Sequence, residues 1–531
     1  MPPVRPRPRA LTHALVLAAL LIAGVLPGTA RAQVPVFGNP VIAGDYPDPT
    51  IMRDGGAFYA SATSASWAPI FPIFRSPDLV NWSQVGAVLP TAPRWATGSF
   101  WAPELVRWGR RVFAFYSASA GGGRPCIGVA TAPRPEGPWT DGGKALCVPG
   151  GTIDPAPVTD GGGSRWLVYK RMGTGGGIWA VRFSTLQLRA IGPSTKLIEP
   201  DAAWEGGVTE GPALVHRPDG WYLFYAGGHC CRPPCTYAES VARAPNLLGP
   251  YVKAPQWLLS GDGAWKCPGH GTLIDLGPRG TFLLHHAYRT DDTLDERRSV
   301  LLDPVVFGPD GWPVIGLSGE PAASGPSPLG ATQAPVPGLF ADRFAGGALL
   351  PGWEWPFDRA PQARVTGNGL DLACRGDRTE PAFVARQVTD DRYAASATLD
   401  MGALRGSAAI GLMAHGPGDV LRGVELRGGL LRAVHIDEQG VVTVGPAVPP
   451  QAGPPAHGRA ARLTLLIGVA PDGSLATYAS VAGGAPVVVP PGPAASGPPP
   501  TRVALTCRGT GAARFTAIRV RATPAPAPGD S

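Results

Sequence analysis

Beyond residue 26 the sequence holds no uncharged apolar run long enough to cross a bilayer, which excludes membrane-spanning helices from the body of the chain. It also has no cluster of lysine and arginine interleaved with aromatics, so nothing in it tracks a phosphate backbone and nucleic acid is excluded as a partner. Long helical periodicities are few, and no loop gathers the acidic oxygens of a dedicated calcium site. Cys230, Cys231 and Cys235 are neighbours without a His-x-His spacing, a poor tetrahedral zinc site. What the chain does have is 73 glycines and 62 prolines in 531 residues, the composition of a turn-rich, all-β protein of two or three domains.

Arg5, Arg7 and Arg9 precede the apolar segment 11–26, Pro27-Gly28 ends it, and Ala30-Arg31-Ala32 offers small residues for cleavage. Residues 1–32 are therefore expected to be a secretory signal peptide, leaving a chain from Gln33 that is secreted, extracellular or periplasmic, and free of the membrane. Four of the positive charges behind the net +7 lie in this segment, so the remainder carries only +3. The eight cysteines suit an oxidising compartment and are expected to form disulfides, with connectivity left open.

One motif recurs five times in degenerate form: Tyr46-Pro47-Asp48-Pro49, Phe100-Trp101-Ala102-Pro103-Glu104, Thr152-Ile153-Asp154-Pro155, Thr209-Glu210-Gly211-Pro212 and Pro268-Gly269-His270-Gly271-Thr272. Aligned on Pro49, Pro103, Pro155, Pro212 and Thr272, the copies stand 54, 52, 57 and 60 residues apart. An aromatic-rich run follows each anchor after 9–11 residues, across a turn rich in Gly and Asp. Each pair reads as a β-hairpin, and five repeats of this length made of short strands predict a five-bladed β-propeller over residues 33–316. A Pro, Ala, Ser and Gly-rich linker is expected over 317–337. Alternating patterns at 394–399, 409–413, 462–466 and 514–520 predict a β-sandwich domain over 338–522, and 523–531 reads as a disordered tail.

In a propeller the innermost strands gather around one axis, so equivalent positions converge at one end of the channel. Asp48, Asp154 and Glu210 occupy near-equivalent positions. Any one of them alone is ordinary turn chemistry. Three gathered carboxylates repel, which raises at least one pKa and lets an acid coexist with a base, the requirement for glycoside hydrolysis. Glu104 lies two residues beyond the register of Asp48 and reads as structural, paired with a backbone or arginine group.

The ordered set of motifs, from Tyr46-Pro47-Asp48-Pro49 to Pro268-Gly269-His270-Gly271, resembles glycoside hydrolase family 43, the five-bladed arabinanases, arabinofuranosidases and xylosidases. The resemblance covers roughly residues 39–315 and extends to Tyr237, Gly249-Pro250-Tyr251 and Asp310-Gly311-Trp312-Pro313. It implies Asp48 as general base, Glu210 as general acid and Asp154 as the carboxylate that holds the acid and adjusts its pKa, with inversion at the anomeric carbon. It implies that Trp101 and Arg298 contact the sugar, Arg297 competing for the second role, and that His270 reaches a channel calcium ion through water, although no cofactor is required. Of His285 and His286, alternation along a strand allows only one to face inward. The expected substrate is an oligo- or polysaccharide containing arabinose, acted on by a monomer. A β-xylosidase of the same family and a catalytically inactive carbohydrate-binding propeller are the alternatives.

Overall fold

In all five repeats the Gly and Asp turns close an antiparallel hairpin: Thr50–Asp54 with Ala57–Ser61, Ala96–Trp108 with Arg111–Ala120, Thr152–Thr159 with Arg165–Arg171, Thr209–Arg217 with Gly220–Gly227, and Trp265–Asp275 with Thr281–Arg289. Two further strands extend every hairpin into a four-stranded sheet. The second strand of blades I, II, IV and V is buried along nearly its whole length, because neighbouring blades cover both faces. The computed structural model describes residues 35–231, 234–261, 263–291, 297–335, 340–375, 381–450, 462–481, 484–492 and 497–523. The expected signal peptide and all but the first residue of the expected tail lie outside these.

The five innermost strands stand around one axis, each packed on the next and the fifth on the first, so the sheets are the blades of a five-bladed propeller. The N-terminal segment helps close the ring: Val36–Gly38 pairs with Ser324–Pro326, and the amides of Val41 and Ile42 donate to the Val300 carbonyl of blade V. Residues 317–335 of the expected linker are bound to the propeller. Gln333 accepts from the Gly38 amide and donates to the Gly38 carbonyl, and the Ala334 amide donates to Asn81 Oδ1. Apart from the strand Ser324–Pro326 this stretch has no regular structure, which leaves its backbone groups free for such capture.

Beyond the linker a six-stranded and an eight-stranded antiparallel sheet enclose one apolar core. Tyr393–Asp400 and Arg462–Val469 alternate buried and partly exposed residues, the period of a sheet with one face on the core. Ala409–His415 is buried at every position instead. Its outer face looks toward the propeller, where Trp67 packs against Phe383 and His415 with ring centroids 6.2 and 5.2 Å apart. Trp67–Ala68 pairs with Trp355–Pro356, and Arg297 reaches Asp391 and the Pro500 carbonyl. A Cys374–Cys507 disulfide ties the sandwich internally.

Candidate active site

The innermost strands share a backbone irregularity. Asp48, Ala102, Asp154, Gly211 and His270 have φ of 55, 48, 55, 57 and 50°, and each immediately precedes Pro49, Pro103, Pro155, Pro212 or Gly271. In blades II to V the pairing slips at this point, between Trp101 and Glu104, Ile153 and Ala156, Glu210 and Ala213, and Gly269 and Thr272. Left-handed backbone costs a non-glycine residue about 1–2 kcal/mol, and such strain collects where a side chain must be aimed. The fifth repeat is thus anchored on Gly271, one residue earlier than its sequence alignment gives, because glycine stands where the others carry proline. Asp48, Asp154 and His270 are strictly equivalent; Glu210 lies one residue earlier, in register with Trp101.

Asp48 sits among donors and cations. Thr63 Oγ1 donates to its Oδ2 at 2.6 Å, and its Oδ1 lies 3.3 Å from His270 Nδ1, 3.4 Å from His286 Nδ1 and 3.8 Å from Arg298 Nη1. Burial pushes its pKa up, but His270, Arg298, His286 and the Thr63 hydrogen bond outweigh this and bring it down to about 2. The Asp48 amide donates to His286 Nδ1 at 3.0 Å, and burial holds that imidazole neutral, its pKa well below the usual value. Asp48 is therefore an ionised carboxylate throughout the neutral range.

Glu210 faces it from blade IV with both oxygens engaged: Lys170 Nζ lies 2.5 Å from Oε2, and Tyr237 Oη donates to Oε1 at 2.8 Å. Gly269 makes room for that tyrosine, since a Cβ there would lie 2.7 Å from the Tyr237 ring. Burial raises the Glu210 pKa, and Lys170, His270 and Tyr237 together lower it below its ordinary value. Asp154 is buried and feels the charges of both other carboxylates. Its Oδ2 accepts from the Gly211 amide at 3.0 Å, so it grips the backbone that carries Glu210. Burial and the charges of Glu210 and Asp48 raise its pKa to about 6 against the opposing pull of His270 and Lys170.

Trp101 is half-buried on the innermost strand of blade II. Of the two candidate arginines, Arg298 faces Asp48, whereas Arg297 turns to the sandwich. His286 faces the site; His285 is buried with Nε2 2.7 Å from Asp303. Burial lowers the His270 pKa, but Asp48, Asp154, Glu210 and Glu239 together raise it above its usual value, which favours the imidazolium among these carboxylates. Among the described residues no group of three His, Cys, Asp or Glu side chains is arranged to hold a metal ion. The donor set does not fit a directly ligated calcium. Glu104, two residues beyond the Asp48 register, pairs with threonine hydroxyls in place of an arginine: Thr50 and Thr272, at the matching positions of blades I and V, donate to it at 2.9 and 2.6 Å.

Thr63 and Glu239 escaped sequence reasoning, since neither lies in a repeated motif. Glu239 is fully buried, and its pKa is pushed up to about 8 by that burial. The cysteines pair as Cys126–Cys147, Cys230–Cys231, Cys235–Cys267 and Cys374–Cys507. Cys231 Sγ lies 3.6 Å from Arg298 Nη1, at the rim of the site. Beside Asp48 opens a pocket lined by Tyr46, Thr63 and Arg298 from the propeller and by Glu354, Gln387 and Arg502 from the sandwich.

The chain is similar to proteins already known. The chain is 28% identical over 349 residues to xylosidase/arabinosidase 43B of Humicola insolens, a match covering 60% of each chain. It is 26% identical over 270 residues to the extracellular endo-alpha-(1->5)-L-arabinanase 1 of Bacillus subtilis, covering 46% of this chain and 80% of that protein. The crystal structure of xylan beta-1,4-xylosidase from Bacillus halodurans superposes with a TM-score of 0.75 at 21% identity, covering 91% of this chain and all of that one, which extends the likeness of fold to the sandwich. The model of the glycosyl hydrolases family 43 matches residues 37–313, the whole ring of blades that carries the three carboxylates. With more than half its length in that match, the chain belongs to family 43 of the glycosyl hydrolases.

Proposed function

We propose that the protein is a secreted, inverting glycosidase that removes or cleaves arabinose units in plant-type arabinan or arabinoxylan. The observation that carries this reading is the contrast between two buried carboxylates in one channel. Asp48 is held ionised by His270, Arg298 and Thr63, while Asp154 has its pKa raised to about 6 by burial and by the charges of Glu210 and Asp48. That asymmetry lets a proton reside beside Glu210 while the base stays ionised at the same pH.

In this reading Asp48 takes a proton from water as its oxygen attacks the anomeric carbon, and Glu210 gives a proton to the departing glycosidic oxygen as the C–O bond breaks. Asp154 acts through the Gly211 amide to hold the acid in place. Inversion requires the two carboxyls to stand about 6.5–9.5 Å apart with the water between base and sugar. In this reading Arg298, beside Asp48, meets sugar hydroxyls and the half-buried Trp101 meets the sugar face. Secretion is supported by four disulfides and by relatives described as extracellular.

The arabinose preference rests on two relatives, the Bacillus subtilis arabinanase and an extracellular exo-alpha-(1->5)-L-arabinofuranosidase of Cellvibrio japonicus, whose own lengths are covered to 80 and 86%. A β-xylosidase is the second reading, favoured by the Humicola relative, which is named for both sugars. Hydrolysis of aryl arabinosides, aryl xylosides and arabinan by wild type, Glu210→Ala and Asp48→Ala tests the proposal. Arabinosides should be preferred, and both variants should lose about 10²–10⁴-fold on unactivated substrates. Glu210→Ala should retain more on an activated aryl leaving group, which needs no proton. Binding of glycans without hydrolysis of any by wild type would contradict the reading.

A further inference from the structure

Both oxygens of Glu210 are engaged by donors: Lys170 Nζ lies 2.5 Å from Oε2 and Tyr237 Oη donates to Oε1 at 2.8 Å, a set of partners that favours the carboxylate over the acid. Lys170 comes from the second strand of blade III, one blade away from Glu210, and Asp154 of its own blade is the other carboxylate whose charge it feels. The side chains of the pair are 16 and 15% exposed, open enough for an arriving sugar to reach and shield enough for the ion pair to be strong.

We infer that Lys170 gates the general acid: it pairs with Glu210 while the site is empty and lets go when a sugar enters, so that Glu210 is charged with a proton only on a filled site. This rests on the assignment of Glu210 as the acid. Glu210 takes one proton from solvent as the pair opens and passes it to the departing oxygen. It returns to Lys170 as a carboxylate when the products leave, while Asp48 sheds to solvent the proton it took from water. Lys170 is thus a positioning residue that acts through Glu210. The charged and titratable groups facing Glu210 are Lys170 and Asp154 from blade III, Tyr237 from blade IV and His270 from blade V, with Asp48 across the channel. Of these, Lys170 alone places a cationic nitrogen in hydrogen-bond contact with the acid among the described residues.

The test compares pH profiles of kcat/KM and kcat for wild type, Lys170→Met and Lys170→Arg. A neighbouring opposite charge displaces a carboxyl pKa by about 1–3 units. Lys170→Met should therefore move the alkaline limb of kcat/KM, which reports the free enzyme, up by about one pH unit or more. The limb of kcat should move less, and Lys170→Arg should keep both near wild type. Should Lys170→Met fail to fold, infrared difference spectra of wild type minus Glu210→Gln decide the matter. A carboxylate band in the free protein near pH 6 that becomes a protonated carboxyl band on adding thio-linked arabinobiose supports the gate. Unmoved limbs in Lys170→Met, or a Glu210 already protonated in the free protein, overturn it. If Glu210→Ala keeps full activity on unactivated substrates, it is the acid assignment that fails and not only the gate.

Discussion

At the scale of single residues the site is organised by five left-handed positions, four of them occupied by residues that bear a Cβ. Strain at such positions persists only where packing fixes it, and here it aims Asp48, Asp154 and His270 into one channel. Gly211 is the exception, and its neighbour explains why: a Cβ there would lie 2.7 Å from His270 Cγ. Gly211→Ala should therefore displace His270 from Asp48, and with it the amide that Asp154 holds. Because a shift of about 1 Å can cost roughly 10²-fold in rate, kcat on an arabinan oligomer should fall by about that much with the fold retained, as circular dichroism would report. An unchanged kcat would show that the His270 position is immaterial to the reaction.

Much of this scale was legible in the sequence, because Asp-Pro and Glu-Gly-Pro are local signals that survive without a partner. What was not legible depends on contacts that the hairpins make within a blade. Thr63 lies 15 residues beyond Asp48, and Tyr237, named only as part of the resemblance, lies 27 beyond Glu210, each contact at a spacing set by a hairpin and not by a motif. The ambiguity between Arg297 and Arg298 is also one of contacts. The chain turns the two side chains to different domains, and only the sandwich, by offering Asp391 and a Pro500 carbonyl, decides which goes where.

At the scale of elements, the hairpins and the two-layer sandwich follow from turn residues and period-two patterning, whereas the way the domains meet does not. Residues 409–413 read as one strand among several; the complete burial of the strand Ala409–His415 comes from a surface that the propeller supplies. The residue at the centre of that surface is Trp67, carried on the short strand Trp67–Ala68 of blade I, which pairs with Trp355–Pro356 and lies under the Arg502 guanidinium at 4.1 Å. Trp67→Ala removes the aromatic contacts and the cation–π face together. It should cost about 3 kcal/mol and split a single urea transition into two, as propeller and sandwich lose their coupling. A single transition at the wild-type midpoint would show that the domains are held together elsewhere. The expected linker belongs here as well, since its glycines and prolines indicated neither the strand Ser324–Pro326 nor the partners Gly38 and Asn81 that bind it down.

At the scale of the whole molecule, the sandwich is part of the surroundings of the site. Glu354, Gln387 and Arg502 line a pocket with Tyr46, Thr63 and Arg298, so both domains shape the surroundings of Asp48. A net charge of only +3 outside residues 1–32 fits a neutral polysaccharide better than a polyanion. The central claim is that Asp48 activates water on one face of the sugar while Glu210 protonates the leaving oxygen on the other. It is tested most directly by following the anomeric proton of the first-formed product by NMR, with wild type acting on an aryl arabinoside before mutarotation sets in. The account predicts a product of inverted anomeric configuration. A product of retained configuration would require a covalent glycosyl-enzyme intermediate, and would contradict the assignment of Asp48 as a base.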